Sequence, residues 1–164
     1  MNNLSDALST LKVGKHGKAL VSFFEGDEVN NVIIGKGDEN LNDGAYVSWK
    51  DDKKSLIPVA LTKDDPIQAE ETETFVSLGH ELAHVRDRYK HGEKHKNMSL
   101  EVKEQSAMLT ENFIRREHGF RQRSFYSLDS DGRSVDFSSY KAIMLPLLPT
   151  NGIKNKYSIP FFEK

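Results

Sequence analysis

The chain has 164 residues with 23 basic and 25 acidic side chains, a formal net charge of -2, 37% hydrophobic content and no cysteine. That length suits one domain with a sizeable core, residues 1–164, and is short for two ordinary ones. Near-neutral charge gives no general attraction to nucleic acid or an anionic membrane, and the lack of cysteine leaves His and carboxylate as the available metal ligands.

Met1-Asn2-Asn3-Leu4-Ser5-Asp6 lacks the basic start and apolar core of a signal peptide, and no later stretch reaches membrane-spanning length. A soluble chain is expected, cytoplasmic in its producer unless a specialised secretion route carries it. Residues 1–62 read as mainly β. Short apolar runs at Leu11 to Val13, Ala19 to Phe24, Val32 to Ile34, Ala45 to Trp49 and Leu56 to Leu61 are separated by turn chemistry, as in a β-meander. The last two flank Lys50 to Lys54 as a hairpin would, and Pro58 places the final strand at a sheet edge, where an extended peptide could add. Trp49, the only tryptophan, reads as core or sheet packing.

Residues 63–120 read as a helical catalytic core. Asp64-Asp65-Pro66 marks a helix entry, and the pattern predicts a helix from about Ile67 to Tyr89. Within it lies His80-Glu81-Leu82-Ala83-His84, an H-E-x-x-H word. Residues four apart share a helix face, so His80 and His84 can present two imidazoles to one zinc ion, with Glu81 beside it as the base that takes a proton from the attacking water. Phe75, Leu78, Leu82, Val85 and Tyr89 form an apolar stripe on the opposite side, which packs without consuming the histidines.

A polar break follows at His91 to Asn97, whose own His pair, interrupted by Gly92, reads as loop rather than a second metal site. Ser99 is a good N-cap for a second helix ending near His118, with Gly119 just past its C-cap. Val102, Leu109 and Phe113 make its expected apolar stripe, and Glu104, Glu111 and Arg115 fall together on the other side.

A catalytic zinc takes three protein ligands and keeps one position open. Glu104, twenty residues after His84, and Glu111, two turns further, are alternatives for the third. Seven helical residues span roughly 10 Å, so both cannot bind one ion. Glu111 could instead pair with Arg115. The extended metzincin pattern fails at Asp87 and Lys90, and a deformylase-type site would need cysteine.

Residues 121–164 read as a loop-rich C-terminal region with Phe120, Phe125, Tyr126, Phe137 and Tyr140 at or near its start, then a Pro-punctuated tail. Asp129-Ser130-Asp131-Gly132 reads as a turn, because its glycine falls two places too early for a calcium loop.

From Leu78 to Tyr126 the chain resembles the NleD-like effector and toxin metallopeptidases, delivered by bacterial pathogens through type III secretion. The resemblance lies in Leu78-Gly79-His80-Glu81-Leu82-Ala83-His84, a glutamate-bearing segment at Glu101 to Gln105, Thr110-Glu111-Asn112 followed by Arg115 to Glu117, and Arg121 to Tyr126. Family members commonly carry two adjacent glutamates between the zinc helix and Thr-Glu-Asn, whereas here Gln105 follows Glu104. Arg123-x-x-Tyr126 also resembles an arginine and tyrosine kept near zinc in clostridial neurotoxin light chains, which implies oxyanion donors.

These features predict an α+β, zincin-like fold, with a small antiparallel sheet packed on the motif helix and a second helix supplying the third ligand. The expected function is a zinc endopeptidase with one Zn2+ per chain, acting on a protein substrate. The resemblance implies a secreted effector or toxin working in the target-cell cytosol on a host signalling protein, with a secretion chaperone or immunity protein as further partners. The alternatives are a housekeeping or phage-encoded metallopeptidase acting in the producing cell, and a non-catalytic zinc-stabilised binding module.

Overall fold

A computed structural model describes residues 3–25, 30–59 and 68–124, and the backbone of two short strands at 127–128 and 134–135. The architecture is α+β. Two helices, α1 (Leu4–Leu11) and α2 (Lys15–Phe24), come first. The strands expected at Leu11 to Val13 and Ala19 to Phe24 are therefore absent. Leu4, Leu8 and Leu11 recur at helical spacing and Asn3 caps α1 by accepting from the Ser5 amide at 2.7 Å. A short apolar run such as Ala19 to Phe24 fits a strand or a buried helix equally, and here Leu20 and Val21 bury one helical face. Lys12 to Gly14 join the two helices, and Gly14 is the N-cap of α2. Glu117 completes the cap from across the fold, accepting from the backbone amides of His16 at 2.7 Å and Gly17 at 3.2 Å in place of a local side chain.

Strands β1 (Ile33–Lys36), β2 (Leu41–Asp43) and β3 (Tyr46–Trp49) form a sheet in the order β1-β3-β2. β3 runs antiparallel to β2 and parallel to β1, so the sheet is mixed rather than wholly antiparallel. Gly44, at φ 60, makes the β2–β3 turn, a conformation that glycine adopts without strain. β4 (Ser55–Val59) does not pair with β3 as a hairpin. It pairs with β5 (Gln68–Thr72), antiparallel, in a second sheet. Ser124 N–H donates to Pro58 O at 3.0 Å and Val59 bridges Arg123, so the segment after Gly119 lies against the far edge of β4, and the open sheet edge expected at Pro58 is not there.

The motif helix α3 spans Thr74–His91, starting later than expected because Gln68–Thr72 is a strand. Gln-Ala-Glu-Glu has helical propensity, but pairing with β4 overrides it. α3 is the centre of the molecule, packed against α1, α2, β2, β3 and α5 (Leu100–Glu117). Leu78, Leu82 and Val85 are buried as the stripe requires, while Tyr89 is 38% exposed. The opposite side is buried too. A Cβ on Gly79 would lie 3.0 Å from Ile114 Cδ1 and 3.2 Å from Leu11 Cδ2, so glycine lets α1 and α5 approach α3 closely. Trp49 is buried and its Nε1 donates to Thr74 O at 2.9 Å, fixing β3 to the start of α3.

The polar break after Gly92, at φ 53, contains a one-turn helix, α4 (Glu93–Lys96). α5 begins and ends where its caps place it: Ser99 Oγ accepts from Val102 N at 3.2 Å, and Gly119 takes φ 76. Its buried face is the reverse of the expected stripe. Val102 is 46% exposed, whereas Glu104, Ala107, Met108, Glu111 and Ile114 are buried. The carboxylate face turns inward because α3 supplies the imidazoles that receive it. Backbone strands β6 (Ser127–Leu128) and β7 (Ser134–Val135) pair antiparallel within the region expected to be loop-rich. Phe125, Tyr126, the Asp129 to Gly132 turn and the tail lie outside the described residues. Among the described residues no helix is long and apolar enough to cross a membrane.

Candidate metal centre

His80 and His84 project from consecutive turns of α3 toward α5, and their Nε2 atoms stand 3.2 Å apart. Glu104 reaches both from the second turn of α5, with Oε2 at 3.0 Å from His80 Nε2 and Oε1 at 3.1 Å from His84 Nε2. All three side chains are buried. One ligand atom from each lies within 4.8 Å of the others, so this buried group could hold a metal ion. His91 and His95 join no such group among the described residues.

The donor set fits the expected ion. Zinc ligands lie about 2.0–2.2 Å from the metal, which at tetrahedral angles puts them roughly 3.3 Å from one another. The two histidine nitrogens, 3.2 Å apart, are close to that figure, and Glu104 offers one oxygen to each of them at 3.0 and 3.1 Å. Two neutral nitrogens and a carboxylate oxygen also match the borderline character of zinc, though other divalent ions accept the same donors.

Glu111 does something different. Its Oε1 lies 2.8 Å from His80 Nδ1, on the side of the ring away from Glu104. The two glutamates thus flank one imidazole. Glu111 is fully buried, and its other contacts are Arg115 Nε donating to Oε2 at 2.7 Å and Arg123 Nη1 donating to Oε1 at 2.8 Å. Burial alone would raise its pKa, but the Arg123 and Arg115 charges and the His80 hydrogen bond outweigh it and hold the carboxyl well below its usual range. The ionised carboxylate can only accept, so His80 Nδ1 must donate and its Nε2 is directed at the metal position.

Without a metal, both nitrogens of His80 face carboxylates. Burial pushes its pKa down, yet the hydrogen bonds that His80 donates to Glu104 and Glu111 prevail and raise it to about 9. Glu104 moves the other way, to about 2, because bonds to the two histidines outweigh its own burial.

The Thr110-Glu111-Asn112 word builds the frame around Glu111. Thr110 Oγ1 accepts from Arg86 at 2.9 Å, tying α5 to α3. Asn112 grips the backbone of Arg123 in both directions, donating to its carbonyl at 3.0 Å and accepting from its amide at 2.7 Å, and so delivers that guanidinium to Glu111. Arg115 also reaches Thr72 Oγ1 on β5 and the Arg121 carbonyl.

Beside the centre opens a cleft of about 190 Å³, bounded by Ser55, Leu56 and Ile57 of β4, Asn40, Ser77, His80, Glu81 and Arg123. Glu81 stands in its wall next to His80, and Asn42 of β2 donates to Glu81 Oε2 at 2.8 Å. This contact joins residues 39 apart in the chain, and no local pattern in the sequence announces it. Of the two oxyanion candidates, Arg123 lines the cleft and Tyr126 lies outside the described residues. No protein-family model, no curated protein and no solved structure matches the chain.

Proposed function

We propose that the chain is a zinc-dependent endopeptidase of the glutamate-ligated, zincin-like type. The observation that carries this reading is the convergence of His80, His84 and Glu104 in a buried triangle, with Glu81 beside it in the wall of an open cleft. A structural site has no need of a carboxylate there. Zinc bound by these three residues would acidify a water and polarise a carbonyl. Glu81 takes the proton from the attacking water and returns it to the leaving amine. Glu111 holds His80 in the required tautomer. Arg123 or Tyr126 donates to the oxyanion, an effect worth a few kcal/mol when the donor is preorganised.

Ser55, Leu56 and Ile57 of β4 line the cleft and could contact a bound substrate, while both edges of β4 already meet the chain itself, β5 on one side and the Arg123 to Ser124 segment with β6 on the other. The resemblance to NleD-like effectors supports a protein substrate in a target cell, reached by a specialised secretion route. The test is to profile new peptide N-termini in host and bacterial lysates treated with wild type or Glu81→Ala. Sites that appear only with wild type identify the substrate and its compartment. Equal cleavage by Glu81→Ala would overturn the mechanism.

A further inference from the structure

Helix α3 fixes the Cα of Glu81 but leaves three side-chain torsions to settle where its carboxylate points. The structure supplies a restraint from another element. β2 is a three-residue edge strand whose Leu41 and Asp43 face outward, so by strand alternation Asn42 faces α3. Its Nδ2 donates to Glu81 Oε2 at 2.8 Å, and its Oδ1 accepts from Arg88 Nη2 at 3.1 Å. Arg88 lies two turns beyond Glu81 on α3 and also donates to the Gly44 carbonyl at the hairpin turn.

The chemistry allows this chain of contacts one polarity. A guanidinium can only donate, so the Asn42 oxygen must face Arg88 and its amide nitrogen must face Glu81. The amide cannot flip without setting donor against donor at Arg88. Oε2 of Glu81 is thereby held, in a residue that lines the cleft.

We propose that Asn42 is a positioning residue for Glu81, oriented in turn by Arg88, so that the β2 hairpin aims the base. This rests on the reading of Glu81 as the base that accepts the proton of the attacking water. Holding a three-torsion side chain in one orientation before substrate arrives removes an ordering cost from the reaction, and a misplacement of about 1 Å costs on the order of 100-fold in rate.

The test has two arms on the full-length chain. In the first, the side-chain amide of Asn42 is followed by 15N–1H spectroscopy. Its two protons should be widely separated in wild type and should shift strongly in Glu81→Ala and in Arg88→Ala. An Asn42 amide unmoved by Glu81→Ala would overturn the contact and the proposal. In the second, kinetics are measured on the best-cleaved peptide of a proteome-derived peptide library. Asn42→Ala should lower kcat roughly 10- to 100-fold with KM within about twofold. Asn42→Asp keeps an oxygen for Arg88 but sets an acceptor against Glu81, so it should lose at least as much kcat while melting no lower than Asn42→Ala. If Asn42 merely tied the hairpin to Arg88, Asn42→Asp would retain wild-type kcat, and that result would overturn the proposal. Should wild type cleave nothing, or Glu81→Ala cleave equally well, the peptidase reading fails, and the spectroscopic arm still decides whether Asn42 holds Glu81.

Discussion

His80 Nδ1 donates to Glu111 Oε1 at 2.8 Å, and this bond turns the opposite ring nitrogen toward Glu104 and His84. Carboxylates that hold a metal-ligating histidine in this way raise its basicity and fix its tautomer, and their loss costs roughly 10- to 100-fold in metal affinity. Glu111→Gln, of nearly the same shape, should weaken zinc binding by about that factor, measured by competition with a chromophoric chelator. Unchanged affinity would mean that Glu111 serves only the arginines.

Removing the Glu111 side chain altogether should be far more damaging to the fold. Arg115 is 3% exposed and would lose the carboxylate that neutralises it. Breaking a buried pair by deleting one partner costs about 3–5 kcal/mol. Glu111→Ala should therefore unfold at much lower denaturant than wild type, while the double change Glu111→Ala with Arg115→Met should recover part of the loss.

Metal binding should be strongly pH-dependent. His80 must give up its Nε2 proton to bind an ion, and in the metal-free protein it holds that proton up to about pH 9. Zinc uptake at pH 7 should thus release a proton, seen as a dependence of calorimetric heat on the ionisation enthalpy of the buffer, and affinity should fall as pH falls. Stripping the metal changes the stability profile in two directions. The raised His80 value contributes stability that is complete below its ordinary pKa of 6.5 and is lost as pH rises through about 9. The depressed Glu104 value contributes stability present above 4.5 and lost as pH falls through about 2. Metal-free protein should therefore melt lower at pH 9 than at pH 6, and zinc should reverse that difference.

Gly79 tests the packing beneath the centre. An added Cβ meets only the ends of Ile114 and Leu11, which must yield by a few tenths of an ångström. Gly79→Ala should be close to neutral, because alanine gains about 1 kcal/mol in helix propensity. Gly79→Val adds volume that these neighbours cannot absorb, and should lower stability by about 1–3 kcal/mol by urea denaturation.

The parts legible in the sequence are those written in local spacing. His80 and His84 at i and i+4, Ser99 and Gly119 at the ends of α5, and Glu104 with Glu111 on one helix face are all local relations, and the structure has each of them. The amino-terminal helices were obscured because short apolar runs such as Ala19 to Phe24 suit either period. β5 was hidden by helix-forming residues that pair with β4. Strand partners were harder still, since the parallel pairing of β1 with β3 depends on what packs beneath them. The apolar stripe of α5 misleads because its charged residues are inside, satisfied by the α3 histidines, by Arg115 on α5 itself and by Arg123. Asn42 at Glu81 and Thr72 at Arg115 are long-range contacts without a local signature.

The most direct measurement is metal content and anomalous diffraction at the zinc edge on protein loaded with zinc. The predicted result is one ion per chain, about 2.0–2.2 Å from His80 Nε2, His84 Nε2 and a Glu104 oxygen. Stoichiometry should be lost in His80→Ala and Glu104→Ala and kept in Glu81→Ala. An ion held by Glu111 instead of Glu104, or no bound ion at all, would contradict it.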